Sequence, residues 1–581
     1  MTERSRLRWL TLGTGLFLLL AFSLRTVWRT PPAALVYLLL VPAAALAAVR
    51  VVRSGAACAA LFAAFSGAAL LTRLLHGRVT GSWYVDYLGP VGSASAPVTH
   101  VPAGVAGLLH CLSHWHPVPA GLAFGISASC SALSVGFLTA ALWRRRERGT
   151  SSWPKLAPLV WGALLAADGV LTYLGASDAH HNIALLAFSL AVWWYGETVT
   201  QAGPASADAP SLVPLAGLFL CSAFVGLTRL ELLISPLVIP LLLAGPGPSL
   251  RDRRQAAAAA AAALGVCLAW LVVSYRGPWL QVASFGPSTW AQFFLYLYVQ
   301  SPFSSELPPL LTQPYAGGCF LLFLLYAWRR PNRGLFGVAL AYGLLILPKV
   351  MGGFGQARIY CCEDSNRYNV ILIPVALLMD AVSIAWMAGQ AAVWLRLDRD
   401  GRRAWLPVLL LLCLAAWPAK LTVDWMRRET LPLPHHAEFH FLSRSIPRLP
   451  QGATVVTVWV ERLSDGRDAD TQLAAPHALL VYTRPDLRWL ALRPGDAIPS
   501  QRPFLYYKGA SCSMDPAAGV TNGPDLAADR EILAQASDLC GRLERRVSSW
   551  EARQSVPVRE TTLHLKGKQL DLGLGWVKGG F

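Results

Sequence analysis

Charged side chains are scarce in this chain of 581 residues. Only 14% of them are Asp, Glu, Lys or Arg, whereas 54% are hydrophobic, and a soluble domain usually carries about 25% charged residues. Apolar runs of about 17–25 residues, each long enough to cross a bilayer as a helix, recur through the first three-quarters of the chain. The composition therefore excludes a soluble globular protein and predicts a polytopic membrane protein.

Phosphate-binding motifs are also missing. The sequence has no Walker-type Gly loop, no dinucleotide-binding fingerprint and no Ser nucleophile elbow, so nothing indicates nucleotide hydrolysis or a cytosolic cofactor. Acidic residues are few, 33 against 50 basic ones, with a net charge of +17. This excess does not indicate a nucleic-acid partner, because the basic clusters lie between apolar runs. They are at 144–146, 251–254, 329–333 and 396–403.

The apolar runs predict a predominantly α, transmembrane helical bundle of about 13 spans over residues 1–423. We place the spans at 9–25, 33–50, 54–75, 119–143, 156–176, 182–200, 211–229, 231–247, 256–275, 314–329, 334–350, 369–395 and 404–423. The positive-inside rule puts every basic cluster in the cytoplasm under this one assignment. It predicts a multi-pass protein of the inner (cytoplasmic) membrane with the N-terminus in the cytoplasm.

The sequence changes character at Asp424. Short strand patterns occur at 453–460, 478–482, 489–492 and 504–507, and a helix pattern covers 524–543. They predict a small extracytoplasmic α/β domain over residues 424–581. A disulfide between Cys512 and Cys540 would fit an oxidising exterior.

Asp86 is the first candidate catalytic residue. It lies in Trp83-Tyr84-Val85-Asp86-Tyr87, in a polar loop that the charge bias places outside the cytoplasm. A carboxylate at the mouth of a membrane cavity could act as a general base for an acceptor hydroxyl. The alternative is a solvated aspartate before the Gly89-Pro90 turn.

A second candidate is the short polar segment 177–182, Ser-Asp-Ala-His-His-Asn, between two predicted spans. Polar residues so dense in so short a connection indicate a water-filled cavity, with Asp178, His180 and His181 as its candidate residues. The alternative is a polar turn in which Asp178 caps the next helix. Asp168, inside the preceding span, would face the same cavity.

Two further elements carry arginines. Arg229 lies next to Glu231 in Leu-Thr-Arg-Leu-Glu, where it is either a phosphate ligand or half of a structural ion pair. Arg358 and Arg367-Tyr368 make an outer loop positive, against the general trend. Their partner is either a lipid-linked phosphate or the nearby acidic residues 363 and 364.

Histidine groups are the only hint of a metal. His110 and His114 have helical spacing, and His435, His436, Glu438 and His440 form a second group, but neither is a complete metal motif. Interfacial histidines are the simpler interpretation. No metal ligand is predicted, and a divalent metal stays possible.

These motifs, in this order, resemble those of the GT-C superfamily of membrane glycosyltransferases, with protein O-mannosyltransferases and aminoarabinose transferases as the most similar members. Asp86 corresponds to the acidic residue of the first large outer loop, and residues 227–231 are similar to the Thr-Arg-Pro-Glu-Gly turn. Arg367-Tyr368 followed by Pro374 resembles the start of a late span in the superfamily. Asp86 follows three predicted spans, whereas the acidic loop of the superfamily follows the first, and Leu230 replaces the proline of the turn.

The resemblance implies an inverting glycosyltransferase that uses a polyprenyl-phosphate sugar at the extracytoplasmic face. It implies that Asp86 is the base and that Arg229, Arg358 or Arg367 stabilises the leaving phosphate. The acceptor would be a glycan, lipid or protein, in contact with membrane lipid. A transporter or flippase and a non-catalytic cell-envelope scaffold are the alternatives, although no repeat typical of transporters is visible.

Overall fold

A computed structural model describes most of the predicted helices and much of the region after them. The described residues are 39–75, 121–147, 153, 154, 156–176, 181–200, 212–228, 232, 234–242, 250–274, 316–329, 333–351, 370–394, 420, 424, 434–458, 484, 486–500, 502–513, 526–558 and 569–578. The chain forms two compact units, with the main boundary between Met426 and Arg427. Each unit is described separately below.

The first unit is helical. Its helices are α1 Leu40–Arg53, α2 Ala56–Leu75, α3 Gly121–Glu147, α4 Ala157–Ala167, α5 Gly169–Gly175, α6 His181–Thr200, α7 Leu212–Thr228, α8 Ser235–Leu242, α9 Leu250–Ser274, α10 Ala316–Arg329, α11 Arg333–Met351 and α12 Leu372–Trp394. They overlap with the predicted spans between 33 and 395. Predicted span 156–176 is divided into α4 and α5, and only Ser235–Leu242 of predicted span 231–247 is a described helix. Predicted span 9–25 and nearly all of 404–423 lie outside the described residues.

Three of the described helical stretches are long and apolar enough to cross a membrane: Ala56–Leu75, Phe124–Arg146 and Leu372–Ala391. The pair α4 and α5, bent by 53°, makes a fourth if it is one broken span. The predicted total of about 13 spans therefore stays a prediction.

Small residues let helices α2, α3 and α4 approach one another closely. A Cβ atom on Gly136 of α3 would lie 2.8 Å from the ring of Phe62, and one on Gly162 of α4 would lie 2.9 Å from the ring of Phe65. The rings of Phe62 and Phe137 are 4.8 Å apart. Helix association inside a membrane relies on this kind of close packing, because lipid supplies no hydrophobic drive between helices.

Helix α12 packs along α4 and runs in the same direction. The indole of Trp161 in α4 donates to the carbonyl of Pro374, 2.9 Å away, near the start of α12. Further along the two helices, Asp168 and Asp380 interact electrostatically. The predicted order of single-crossing spans makes 156–176 and 369–395 antiparallel, which differs from the direction in which α4 and α12 pack. The number of spans between them stays a prediction.

The second unit is a small α/β fold. It contains α13 Pro434–Ser445, β1 Thr454–Val458, β2 Arg488–Leu492, β3 Phe504–Lys508, α14 Leu526–Arg545, β4 Val547–Pro557 and β5 Gln569–Val577. The sheet order is β2-β1-β3-β5-β4. Strands β1, β2 and β3 are parallel, whereas β5 is antiparallel to both β3 and β4. The predicted strand 478–482 lies outside the described residues.

Adjacent tyrosines on β3 show how helices cover the two faces of this sheet. Tyr507 stacks on Phe441 of α13, with ring centroids 6.3 Å apart. Tyr506 points to the other face, because neighbouring side chains alternate along a strand, and its hydroxyl donates to Cys512 Sγ. Cys512 is disulfide-bonded to Cys540 of α14, with the Cα atoms 5.4 Å apart. The predicted disulfide is thus confirmed.

Candidate functional site

A break between α4 and α5 is the centre of the buried polar region in the first unit. Asp168 stands at the break with extended backbone angles (φ −56°, ψ 129°), and its carboxylate accepts a hydrogen bond from the Leu171 amide at 2.8 Å. Aspartate suits this position because its side chain satisfies an amide that has no partner inside the new helix. The last carbonyls of α4 are left in need of donors.

Arg73 of α2 supplies those donors. Its side chain is fully buried, and Nη1 donates to the Ala166 carbonyl at 3.0 Å and to the Ala69 carbonyl at 3.1 Å. Nε donates to Ser131 Oγ at 3.1 Å. Arg73 and Asp168 also attract each other electrostatically. A guanidinium inside an apolar bundle is tolerated only with such partners, so Arg73 ties the end of α4 to α2 and α3.

A second group of polar contacts continues from Ser131 to the start of α6. Ser127 and Ser131 are four residues apart and share one face of α3. The Asn182 amide donates to Ser127 Oγ at 2.7 Å and to the Leu174 carbonyl at 2.9 Å. A Cβ on Gly175 would meet Arg73 Cγ at 2.7 Å, so only glycine fits there.

One row of buried polar groups therefore runs from the helix break to the first turn of α6. We call it the polar row and define it as Arg73, Ser131, Ser127 and Asn182. It holds the end of α5 and the beginning of α6, which are the two ends of the segment 177–180.

Asp380 of α12 brings a second carboxylate to this region. It is buried, and its Oδ2 has no hydrogen-bond partner among the described residues. Asp380 interacts electrostatically with Asp168, and Asp168 in turn attracts Arg73, so one cation and two acids lie in this region. Buried ionisable residues in a membrane bundle commonly mark a substrate or ion path.

Most of the site residues predicted from the sequence lie outside the described residues: Asp86, Asp178, His180, Arg229, Glu231, Arg358, Arg367 and Tyr368. His181 is described and is the buried first residue of α6. Asp168, expected to face the same cavity, accepts a hydrogen bond from the Leu171 amide through Oδ1, and its place in a cavity stays a prediction.

Glu197 near the C-terminal end of α6 is a buried charge that the sequence analysis missed. It pairs with Arg144 of α3, and its other oxygen lies 3.8 Å from Arg50 of α1. The guanidinium of Arg144 also lies over the ring of Trp193, 5.4 Å from its centre. This cluster joins the C-terminal ends of α1, α3 and α6, and the last turns of α1 and α3 carry several arginines.

In the second unit, Glu438 of α13 is a buried acid. Its Oε1 accepts hydrogen bonds from the Tyr507 hydroxyl at 2.9 Å and from the Ala510 amide at 2.8 Å, whereas Oε2 has no partner among the described residues. Burial raises the pKa of Glu438 to about 8, although both hydrogen bonds oppose the shift. The acid is therefore mostly neutral at pH 7.

The predicted group around Glu438 includes His435 and His436, whose side chains lie outside the described ones. No set of three His, Cys, Asp or Glu residues in the described part of the chain could hold a metal ion. His440 is half-buried, and burial together with Arg444 lowers its pKa. Glu438 is instead engaged by Tyr507 and Ala510.

No family model matches this chain, and no curated protein matches it. Among solved structures, it is similar to the oligosaccharyltransferase of Archaeoglobus fulgidus in complex with Zn and sulfate, with a TM-score of 0.38 and 11% identity. The match covers 81% of this chain and 67% of that one. At this identity and TM-score, no residue role, substrate or activity is transferred from that enzyme.

Proposed function

We propose that this protein transfers a sugar from a polyprenyl-phosphate donor to an acceptor hydroxyl at the extracytoplasmic face of the membrane. The acceptor oxygen attacks the anomeric carbon, Asp86 takes the hydroxyl proton, and the bond from the anomeric carbon to the phosphate oxygen breaks. Polyprenyl phosphate leaves with the electron pair of that bond. The anomeric configuration is inverted, because there is a single displacement.

The other predicted residues have supporting roles in this proposal. Arg229, Arg358 and Arg367 stabilise the negative charge that grows on the leaving phosphate. Asp178 is a second acid near the acceptor, and the remaining polar residues line the cavity: His180, His181, Glu231 and Tyr368. The donor already carries the energy of an activated phosphoester, so no nucleotide is needed.

The observation that supports this proposal most strongly is the polar row beside the segment 177–180. The amide of Asn182 is hydrogen-bonded to Ser127 and to the Leu174 carbonyl, and Arg73 packs against Gly175. The described residues that precede and follow positions 177–180 in the sequence are thus held by buried polar groups, and Asp178 and His180 belong to the positions between them. Catalytic side chains need supports of this kind, because small displacements are costly to the reaction rate.

The test measures release of polyprenyl phosphate by the purified full chain in nanodiscs, with a panel of polyprenyl-phosphate sugars. Asp86→Asn should lower turnover by about 10²- to 10⁴-fold, the usual contribution of a general base. The matched control is Asp538→Asn, the same change at a side chain that is 64% exposed in the second unit, and it should keep wild-type turnover. Equal turnover by Asp86→Asn and wild type would contradict the role of Asp86, and Asp178→Asn would be tested next.

A transporter of lipid-linked or anionic substrates is the second candidate. It is favoured by the broken helix and by Arg73, Asp168 and Asp380, since discontinuous helices with internal charges are typical of transporters. Liposome assays separate the two functions. Movement of a fluorescent polyprenyl phosphate across the bilayer, without sugar release from any donor, would favour the transporter and contradict the transferase.

A further inference from the structure

The carboxyl ends of β1 and β3 in the second unit form a topological switch point. The chain goes from β1 to β2 on one side of β1, and β3 lies on its other side, as the order β2-β1-β3 shows. All three strands are parallel. In open α/β sheets, ligands bind outside the carboxyl ends of the strands where the strand order reverses in this way.

Polar groups converge at that point. The hydroxyl of Ser511, just after β3, donates to the carbonyl of Val458, the last residue of β1, at 2.7 Å. The amide of the preceding residue, Ala510, donates to Glu438 Oε1. Backbone and side chains of three elements, α13, β1 and β3, therefore meet where the topology predicts a ligand.

Gly509 shows how closely Glu438 is held there. A Cβ at this position would lie 2.4 Å from Glu438 Oε1 and 2.9 Å from a ring carbon of Tyr507. The carboxyl oxygen thus occupies the space that any other residue would need. The fold of this unit therefore fixes the position of the Glu438 carboxyl group.

Oε2 is the part of Glu438 that this arrangement leaves unsatisfied. Oε1 accepts two hydrogen bonds, so it is the carbonyl oxygen of the neutral acid, and the proton belongs on Oε2. That proton has no acceptor among the described residues. A buried donor without an acceptor is costly to the folded state, and an unsatisfied group of this kind commonly has a function.

We propose that the β1/β3 switch point is a carbohydrate-binding site in which Glu438 donates a hydrogen bond from Oε2 to a sugar hydroxyl. A neutral acid suits an uncharged acceptor oxygen, whereas a cation would ionise it. The choice of a sugar, among ligands with such an oxygen, rests on the proposed glycosyl transfer. The site would bind the acceptor glycan.

Two substitutions at Glu438 separate a donor role from a packing role. Glutamine reproduces the neutral acid: its carbonyl accepts from Tyr507 and Ala510, and its NH2 group donates where Oε2 did. Methionine is apolar and of similar length, so it fills the space but offers no donor. The matched surface control is Glu531→Gln on the exposed side of α14.

The experiment titrates the full chain in nanodiscs with neutral trisaccharides of glucose, mannose and galactose, and follows binding by calorimetry. At least one trisaccharide should bind wild type, Glu438→Gln and Glu531→Gln with similar affinity. Glu438→Met should bind it about tenfold more weakly, the equivalent of one hydrogen bond, while remaining folded by circular dichroism.

Two results would overturn the proposal: no saturable binding of any trisaccharide to wild type, which would leave Oε2 to a resident water, or equal affinity of the methionine variant. Asp86→Asn distinguishes this site from the proposed transfer reaction. It should bind the trisaccharide as wild type does and yet lack transfer. Binding by a wild-type protein that has no transfer activity would reject the proposed function and keep the site.

Discussion

The two units of this protein differ in the hydrogen bonding of a buried ionisable side chain. Arg73 in the first unit stays charged and has hydrogen-bond acceptors around it, including backbone carbonyls freed by a helix break. Glu438 in the second unit has one oxygen satisfied and one not, and burial makes it neutral near pH 7. The donors of Arg73 are used within the structure, whereas the proposed sugar site depends on the unused oxygen of Glu438.

The largest change in stability is expected in the second unit when the pH is raised. The pKa of Glu438 is about 8 in the folded chain, against an ordinary value of 4.5. Below pH 4.5 both states are protonated and stability is full. As pH rises from 4.5 to 8, only the unfolded state ionises, so the free energy of unfolding falls by up to about 5 kcal/mol, at 1.36 kcal/mol per pKa unit.

Glu438→Gln should remove this slope, and the exposed control Glu531→Gln should retain it. The measurement is proteolysis of β1 and β3 in the full chain across that pH range, followed by mass spectrometry. If the stability of Glu438→Gln still falls as the pH rises, another group must titrate. The contrast drawn between the two units would then be wrong.

The second-largest effect on stability is expected when the buried cation, Arg73, is removed. Arg73→Met removes the guanidinium donor from the Ala166 and Ala69 carbonyls, which keep only the shared hydroxyl of Thr72, and it leaves Asp168 without its cation. The loss of one partner from a buried ionic network costs about 3–5 kcal/mol, so the thermal midpoint of the first unit should fall sharply. Arg53→Met, at an exposed position at the end of α1, is the control in the same detergent, and an equal midpoint for both variants would show that Arg73 does not support the break.

The disulfide is a further difference between the units. The cysteines described as free, Cys58, Cys130, Cys221 and Cys267, all lie in helices of the first unit, whereas Cys512 and Cys540 bridge 28 residues in the second. Replacing both with alanine should destabilise the second unit by about 3 kcal/mol, from the greater entropy of the unfolded chain. Denaturant unfolding of the full chain with and without reductant tests this, and a double variant that still responds to reductant would contradict it.

The smallest change in stability is expected at Asn182. Asn182→Leu removes two buried hydrogen bonds and should cost about 1–3 kcal/mol. Under the proposed function it should also lower sugar transfer, because it loosens one end of the segment that carries Asp178. Ser134→Ala is the control, since Ser134 bonds only to a carbonyl of its own helix, and equal transfer by the two variants would remove Asn182 from the supports of the site.

Many helix positions could be predicted because hydrophobic length alone determines them. The strand pattern predicted at 489–492 corresponds to β2, Arg488–Leu492. The helix predicted at 524–543 corresponds to α14, Leu526–Arg545. The hairpin of β4 and β5 was not predicted. Most of the residues of β4 are exposed or half-exposed, so the strand lacks the apolar alternation by which buried strands are recognised.

The candidate site was harder to predict for a similar reason. Arg73 is an arginine inside a predicted span, and that position alone was a usable signal of a buried polar site. Its partners, the Ala166 and Ala69 carbonyls and Ser131, carry no signal in the sequence, because a carbonyl becomes an acceptor only where a helix is interrupted. Glu438 was noticed only as one of a histidine-rich group, and neither its burial nor its contact with Tyr507 follows from that spacing.

Amino-acid type and order are enough to predict the membrane character, the places of the apolar helices, the change to an α/β unit near Asp424 and the two cysteines able to pair. These are local properties, since hydrophobic length and side-chain type act residue by residue. The tertiary structure decided that α4 and α12 run parallel, that Asp168 breaks a helix beside Arg73, and that Glu438 keeps an oxygen without a partner. Each of these depends on which distant groups meet in the interior, where a charge or a hydrogen bond costs or contributes far more than it does in water.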